Sequence, residues 1–245
     1  MAQNIRLQLE YEGTHYHGWQ RQPNAITVQE TLENAIKQFT QEQVRVIAAG
    51  RTDTGVHARR QIVNFFLEKA VPVSRIPPGI NDYLPKDIVV HEAAVVPDDF
   101  HARYSAIRRT YHYYILFGKT ALYRNFCWQV YYRLDKELLP IMAEKLVGEH
   151  DFGAFARFDT GTSHKLCHVY ESQWVQEGIF WVYRISANRF LRGMVRSIVG
   201  TMIDVARGRF TLEQFQKIFH SRNRIEAGVA APPCGLFLHS VEYPT

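Results

Sequence analysis

The chain has 245 residues, 46% of them hydrophobic, which suffices to bury a large core without disulfide or metal cross-links. Lys and Arg outnumber Asp and Glu by 29 to 24, and this small positive excess favours an anionic partner only where it is concentrated. The three cysteines form no CxxC pair, which argues against a disulfide-rich secreted protein. No stretch reaches the roughly 18 apolar residues of a membrane-spanning helix. We therefore expect a cytoplasmic protein without a membrane segment.

The first part of the chain predicts alternating strands and helices. Apolar and polar residues alternate, or apolar runs end in turn residues, and this predicts strands at residues 5–10, 44–49, 61–67 and 88–96. Thr27 and Glu30 form a capping pair that predicts the start of a helix. Its apolar stripe consists of Val28, Leu32, Ile36 and Phe39. A second helix is expected at residues 73–81, although this segment contains two prolines.

A similar order of elements returns in the second part of the chain. Strands are predicted at residues 109–116, 172–176, 179–186 and 236–243. Helices are predicted after a cap at Asp135, at residues 190–206, and after a cap at Thr211. Strands mixed with helices that pack on one face of a sheet are typical of the α+β class. We place the boundary near Tyr104, which gives two halves, residues 1–104 and 105–245.

The segment Gly50–Ala58 reads GRTDTGVHA and places one carboxylate, Asp53, between an arginine and a histidine. Gly50 and Gly55 supply the backbone freedom that a tight bend needs. A bend would present Asp53 to a ligand, whereas a strand would hold it in a ladder. Without further context, an aspartate that caps backbone amides in a turn is the favoured interpretation.

Cationic and aromatic residues are concentrated in two stretches that lack Asp and Glu, residues 101–134 and 178–203. The first contains Arg103 among several arginines and tyrosines, and the second contains four arginines, Arg184, Arg189, Arg192 and Arg196. Such a pattern suits a phosphate-rich ligand whose unpaired bases stack on aromatic rings. Solvated arginines beside core tyrosines are the alternative for either stretch alone.

In the predicted helix at residues 190–206, Arg189, Arg192 and Arg196 follow at i, i+3 and i+7. Arg196 lies at the edge of the apolar face, so its guanidinium should be partly removed from water. A charge in that position needs an anionic partner. We predict that Asp53 is this partner.

Two other kinds of site are weakly supported. His164, Cys167 and His168 have a spacing compatible with a metal, but no second cluster supplies further ligands. Asp53 followed by Thr54 is also compatible with an aspartyl phosphotransferase, but such sites need further acidic residues to hold magnesium. Residue 51 is an arginine, and the sequence contains no GxxxxGKS or GxGxxG loop.

Several motifs follow one another along the chain: GRTDTGVHA from Gly50, FHARYSA and RTYHYYI from Phe100 and Arg109, NRFLRGMVRSIVGTM from Asn188, and APPCGLFL from Ala231. Together, these motifs resemble the TruA family of tRNA pseudouridine synthases over nearly the whole chain. Thr54 departs from the pattern, since many members have alanine there, but it leaves Asp53 in place. Several motifs in the same order are far more specific than any one of them.

The resemblance implies a homodimeric enzyme of α+β fold with two similar halves and the active cleft between them. It implies that Asp53 is the nucleophile, that Tyr111 stacks on the target uracil, and that Arg51 and Arg196 flank the site. The reaction would convert uridine to pseudouridine on the 3′ side of the tRNA anticodon stem-loop, at tRNA positions 38, 39 and 40. It needs no cofactor and no metal.

The chemistry of this reaction explains why these residue types are needed. An ionised carboxylate can hold a reactive intermediate covalently, and an arginine beside it opposes the rise in pKa that desolvation would cause. The sequence does not distinguish three roles for the Asp53 carboxylate: attack on uracil C6, attack on ribose C1′, and removal of a ribose proton. Arg103 and Arg192 are predicted to contact phosphates. A non-catalytic RNA-binding module is the alternative, but it leaves Asp53 unexplained, because an anion weakens phosphate binding.

Overall fold

The structure, a computed structural model, describes residues 2–157 and 164–244. Its strands are β1 (Gln3–Tyr11), β2 (Ile47–Ala48), β3 (His57–Leu67), β4 (Ile88–Val96), β5 (Arg108–Phe117), β6 (Trp128–Val130), β7 (Gly148–Asp151), β8 (Leu166–Glu177), β9 (Phe180–Ala187) and β10 (Leu236–Glu242). Its helices are α1 (Val28–Thr40), α2 (Ile76–Asn81), α3 (Leu138–Glu144), α4 (Met194–Ala206) and α5 (Leu212–Ser221). Mixed strands and helices confirm the predicted α+β class. Among these described residues, every helix is too short or too polar to cross a membrane.

The chain divides into two compact units, Met1–Ile107 with Phe237–Thr245, and Arg108–Leu236. The sequence predicted halves of residues 1–104 and 105–245, with the last strand closing the second half. That strand, β10, instead contributes to the first unit, because Phe237 and Leu238 pair in parallel with His57 and Ala58 of β3. Local alternation predicts that a segment is a strand but not which neighbour it pairs with.

In the first unit, β1 is the central strand and runs antiparallel to both β3 and β4. Leu7 of β1 lies opposite Val63 of β3, and both are fully buried. The predicted strand at residues 44–49 is reduced to the two residues of β2, because the Val46 amide donates to the Glu33 carboxylate at 3.1 Å and is not available to a ladder.

The first helix of this unit begins as the sequence predicted, whereas α2 begins at Ile76 and not at residue 73, because Val73–Arg75 form a separate 3-10 turn. Thr27 caps α1, since its hydroxyl accepts a hydrogen bond from the Glu30 amide at 3.4 Å. The two prolines of α2 occupy its first turn, where an amide N–H has no partner within the helix. The α2 helix packs on β4 and on α1.

In the second unit, β5 pairs antiparallel with β9, β9 with β8, and β8 with β7, while β6 runs parallel to β5. Tyr113 of β5 lies opposite Tyr183 of β9, and both rings are fully buried. The helices α3, α4 and α5 pack against one another. A reciprocal capping box between Thr211 and Gln214 starts α5, as the cap at Thr211 predicted.

Two helix starts in the second unit differ from the prediction. The α4 helix begins at Met194 and not at residue 190, because Gly193 before it has the left-handed value φ = 73°. Arg189 and Arg192 therefore lie before the helix and do not form a helical stripe with Arg196. The α3 helix has Glu137 at its N-cap, while the Asp135 carboxylate accepts from the Glu137 amide in the preceding turn at 3.3 Å.

Candidate active site

Asp53 lies on a tight turn between β2 and β3. The Val56 amide donates to the Asp53 carbonyl at 3.1 Å, and Gly55 within the turn has φ = 76°. The Asp53 side chain is half-buried. The turn therefore presents a carboxylate that is neither in a ladder nor fully solvated, as the glycine pattern predicted.

A preceding segment holds the backbone of this turn from one side. The Trp19 amide donates to the Thr52 carbonyl at 3.0 Å, and the Gly55 amide donates to the Tyr16 carbonyl at 3.4 Å. Gly18 lies between them with φ = 87°, and a Cβ atom added there would lie 2.7 Å from the Thr52 carbonyl oxygen. The Asp53 turn thus rests directly on the backbone of Gly18.

Buried polar side chains hold the same turn from within. The hydroxyl groups of Tyr11 and Thr52 lie 2.8 Å apart. Gln61, which is fully buried, donates to the Gly50 carbonyl at 2.8 Å and to the Tyr11 hydroxyl at 3.5 Å. The sequence did not point to Tyr11 or Gln61, because Tyr11 directly follows a predicted strand and Gln61 is the first residue of another.

Other arginines lie close enough to Arg51, which is two residues from Asp53, to change its pKa. Partial burial is the main cause of a lowered pKa of Arg51, and the positive charges of Arg103 and Arg45 act in the same direction, whereas Tyr104 raises it. Arg51, Arg103 and Tyr104 therefore lie within electrostatic reach of one another. Arginine remains charged at neutral pH despite this shift, so a concentrated positive charge lies two residues from Asp53.

Tyr111 lies on β5 in the second unit and is 7% exposed. Its ring meets the ring of Phe190 edge to face, with centroids 4.9 Å apart. Two positions earlier on the same strand, the Arg109 guanidinium donates to the Asn188 carbonyl at 2.8 Å. The RTYHYYI and NRFLRG segments thus pack together. The sequence did not predict the contact of Phe190 with Tyr111, because the apolar period of α4 extends through Phe190 and predicts a helix there.

Arg196 is half-buried on α4, and its Nε donates to the Ala231 carbonyl at 2.7 Å. The Ala231 amide donates back to the Arg196 carbonyl at 2.9 Å. Arg196 therefore fixes the start of the APPCGLFL segment, a contact that the sequence did not predict. Arg192 is exposed before the helix, and its carbonyl accepts from the Arg157 amide at 3.0 Å.

The APPCGLFL segment packs closely against β5, and this contact requires a glycine at position 235. The Tyr113 hydroxyl donates to the Pro232 carbonyl at 2.8 Å. A Cβ atom added to Gly235 would lie 2.8 Å from the Tyr113 ring and from the Tyr114 carbonyl oxygen. Only glycine fits at this position against β5. The hydrogen bond from Tyr113 and this close contact hold the segment on the strand.

The cysteines are not suited to nucleophilic chemistry. Burial is the main cause that raises the pKa of Cys127 and of Cys167 to about 11, which keeps both thiols neutral at physiological pH. Among residues 2–157 and 164–244, we find no group of three or more His, Cys, Asp or Glu side chains arranged to hold a metal ion.

Over residues 8–105 and 142–244 the sequence matches the family described as tRNA pseudouridine synthase. The chain belongs to this family. A tRNA pseudouridine synthase A of Thermoanaerobacter sp. strain X514 is 44% identical over 242 residues, which cover 98% of this chain and 99% of that protein. Those of Bacteroides fragilis and Caldicellulosiruptor bescii are each 41% identical, over 99% and 98% of this chain and 97% and 99% of the respective relative.

The predicted site residues of this tRNA pseudouridine synthase fall in both units. The first unit contains Arg51, Asp53 and Arg103, which lie on or near one turn. The second unit contains Tyr111, Arg192 and Arg196. The ion pair between Asp53 and Arg196 stays a prediction. Tyr111 lies between the two ranges that match the family.

Proposed function

We propose that this chain converts uridine to pseudouridine in tRNA, with Asp53 as the nucleophile. In this reaction the bond from ribose C1′ to uracil N1 breaks and a bond from C1′ to uracil C5 forms. N1 gains a proton and C5 loses one, so the reaction is a balanced isomerisation. The observation that carries the proposal is the half-buried Asp53 on a turn held by hydrogen bonds with Tyr16, Trp19 and Gln61, two residues from Arg51.

The carboxylate would stabilise the separated uracil or ribose while the base turns. It can add to uracil C6, attack ribose C1′, or remove a ribose proton to form a glycal, and each route needs the same ionised group. A site closed by RNA would disfavour the ionised form through desolvation. The arginines are proposed to oppose this effect, with Arg51 near the turn and Arg196 as the ion-pair partner of Asp53. The partial burial of Arg196 supports that assignment.

Tyr111 is proposed to stack on the target uracil after the base leaves its helical stack. Extrusion of a base costs a few kcal/mol, and stacking on an aromatic ring contributes about 1 to 3 kcal/mol in return. The edge contact with Phe190 supports this role, since a ring that is already oriented loses little conformational freedom when a base binds.

The family resemblance supports the finer assignments. We propose that the modified uridines lie on the 3′ side of the anticodon stem-loop, at tRNA positions 38, 39 and 40, that the enzyme works as a homodimer without a cofactor, and that it acts in the cytoplasm. Arg103 and Arg192, both exposed, are proposed to contact tRNA phosphates.

The direct test is to incubate the purified protein with an unmodified tRNA transcript and to map carbodiimide-reactive pseudouridine along the RNA. We expect stoichiometric modification at positions 38 to 40 where uridine occurs, without added metal or cofactor. A transcript that binds the protein but remains unmodified would contradict the proposal and would favour the non-catalytic RNA-binding module.

A further inference from the structure

Tyr104 is an exposed aromatic side chain in the FHARYSA loop, with 74% of its surface accessible. Its ring centroid lies 4.4 Å from that of His101, with 33° between the ring planes. The Arg103 guanidinium lies 5.4 Å from the same centroid. A single exposed aromatic residue is ordinary on a protein surface, so the significance of Tyr104 depends on the surrounding loop and charges.

The loop that carries Tyr104 is fixed by its own hydrogen bonds. His101 Nδ1 accepts from the backbone amides of both Arg103 and Tyr104 at 3.2 Å. The Ser105 amide donates to the His101 carbonyl at 2.9 Å, and the Ser105 hydroxyl accepts from the His101 amide at 3.0 Å. The position of Tyr104 is therefore determined before any ligand binds.

Buried residues anchor this loop to the first unit. The fully buried Ala102 donates its amide to Asn64 Oδ1 at 2.9 Å and accepts at its carbonyl from the Tyr243 hydroxyl at 2.7 Å. Asn4 donates to the Phe100 carbonyl at 3.0 Å and accepts from Asn64 at 2.9 Å. The side chains of Asn4, Asn64 and Tyr243 thus anchor the loop that holds the Tyr104 ring at the surface.

The charges around Tyr104 are suited to RNA. Arg51 and Arg103 lie within electrostatic reach of each other and of Tyr104, and Arg51 lies two residues from Asp53. Cations beside an exposed ring favour a ligand with both phosphates and flat bases, since phosphates pair with guanidinium groups and bases stack on the ring. An acidic peptide would satisfy the arginines but would leave the ring without a stacking partner.

We propose that Tyr104 is a second base-stacking site, which holds an unpaired base of the tRNA other than the target uridine, while Arg103 contacts a neighbouring phosphate. This inference rests on the proposed function, because it assigns to the same substrate a contact beside the Asp53 turn. The fixed loop limits the entropy lost when a base binds, so that stacking contributes directly to affinity. Stacking is tolerant of sequence, so this site would position the RNA without selecting one base.

The test measures the affinity of an unmodified tRNA transcript for variants of Tyr104 in the Asp53→Asn background, which keeps the RNA unconverted. We expect Tyr104→Leu to raise Kd about five-fold or more, because leucine has no aromatic face, and Tyr104→Phe to keep Kd within about two-fold. With Asp53 present, Tyr104→Leu should raise KM more than it lowers kcat. The Tm of both variants should stay unchanged, since the ring is exposed.

Tyr83→Leu is the matched control, because Tyr83 is 54% exposed in the same unit and takes no part in the FHARYSA loop. Its Kd should equal that of the parent protein. An unchanged Kd in Tyr104→Leu, or an equal loss in Tyr104→Phe and Tyr104→Leu, would overturn the stacking site. Failure of the wild-type protein to form pseudouridine would overturn the proposed function instead, so the two failures are distinguishable.

Discussion

Thr52 is adjacent to Asp53, and its hydroxyl lies 2.8 Å from that of Tyr11. At the scale of single residues, this buried pair helps to fix the turn that carries the carboxylate. Small displacements of a reacting group are costly, because catalysis depends on a narrow range of distances and angles. The pair therefore acts by positioning Asp53 and need not touch the substrate.

Thr52→Val keeps the shape of the side chain and removes its hydroxyl. We expect kcat to fall by roughly ten-fold or more with a smaller change in KM, because the Asp53 turn loses its fixed position. Thr52→Ser should restore most of kcat, since it retains the hydroxyl. Thr31→Val is the control, because the Thr31 hydroxyl donates to the carbonyl of Thr27 at the start of α1, away from the Asp53 turn. Wild-type kcat in Thr52→Val, measured with saturating tRNA, would contradict the positioning role.

At the scale of elements, the Asp53 turn depends on the close approach of the segment that contains Gly18. Gly18 and Gly208 have similar positive φ values, 87° and 80°. A Cβ atom on Gly18 would meet the Thr52 carbonyl oxygen at 2.7 Å, whereas a Cβ atom on Gly208 would meet nothing within 4 Å. An alanine at Gly208 would therefore introduce backbone strain alone, whereas an alanine at Gly18 would introduce the same strain and a steric clash.

Replacement of each glycine by alanine tests this distinction. Both variants should lose on the order of 1 kcal/mol of the free energy of unfolding, because alanine disfavours positive φ, and Gly18→Ala should lose more, because its Cβ atom also clashes with the Thr52 carbonyl oxygen. Gly18→Ala should in addition lower kcat strongly, since the added methyl group displaces the Asp53 turn, whereas Gly208→Ala should retain it. Thermal unfolding and steady-state kinetics measure the two effects. Equal kcat values in both variants would show that the turn does not depend on Gly18.

The elements also show what the sequence could predict. The strands β1, β4, β5 and β9 follow from local alternation, and the cap of α1 follows from Thr27. The Asp53 turn was predictable as well, because GRTDTGVHA is contiguous. The start of α4 was not, since the apolar period continues through residues that precede the left-handed Gly193. The pairing of β10 with β3, and the contacts of Tyr11, depend on residues far apart in the sequence.

At the scale of the whole molecule, the net charge of +5 is small, so that its distribution determines RNA binding. We expect Arg103→Ala and Arg192→Ala each to lower the slope of log affinity against log salt concentration by about one, because each removes one phosphate contact. Arg209 already lies 3.3 Å from the Asp204 carboxylate, so Arg209→Ala should leave the slope unchanged. Filter binding of tRNA at several salt concentrations measures this. Slopes equal to that of the parent protein for Arg103→Ala and Arg192→Ala would mean that these arginines contact no phosphate.

The central claim is that the Asp53 carboxylate performs the chemistry. Its most direct test is the formation of carbodiimide-reactive pseudouridine by Asp53→Asn, beside Asp99→Asn, which changes an exposed acid in the same way. The amide keeps the shape of the side chain but is a poor nucleophile. We predict that Asp53→Asn binds the tRNA transcript with a Kd within about two-fold of wild type and forms no pseudouridine, while Asp99→Asn remains active. Pseudouridine formation by Asp53→Asn at the wild-type rate would contradict the account.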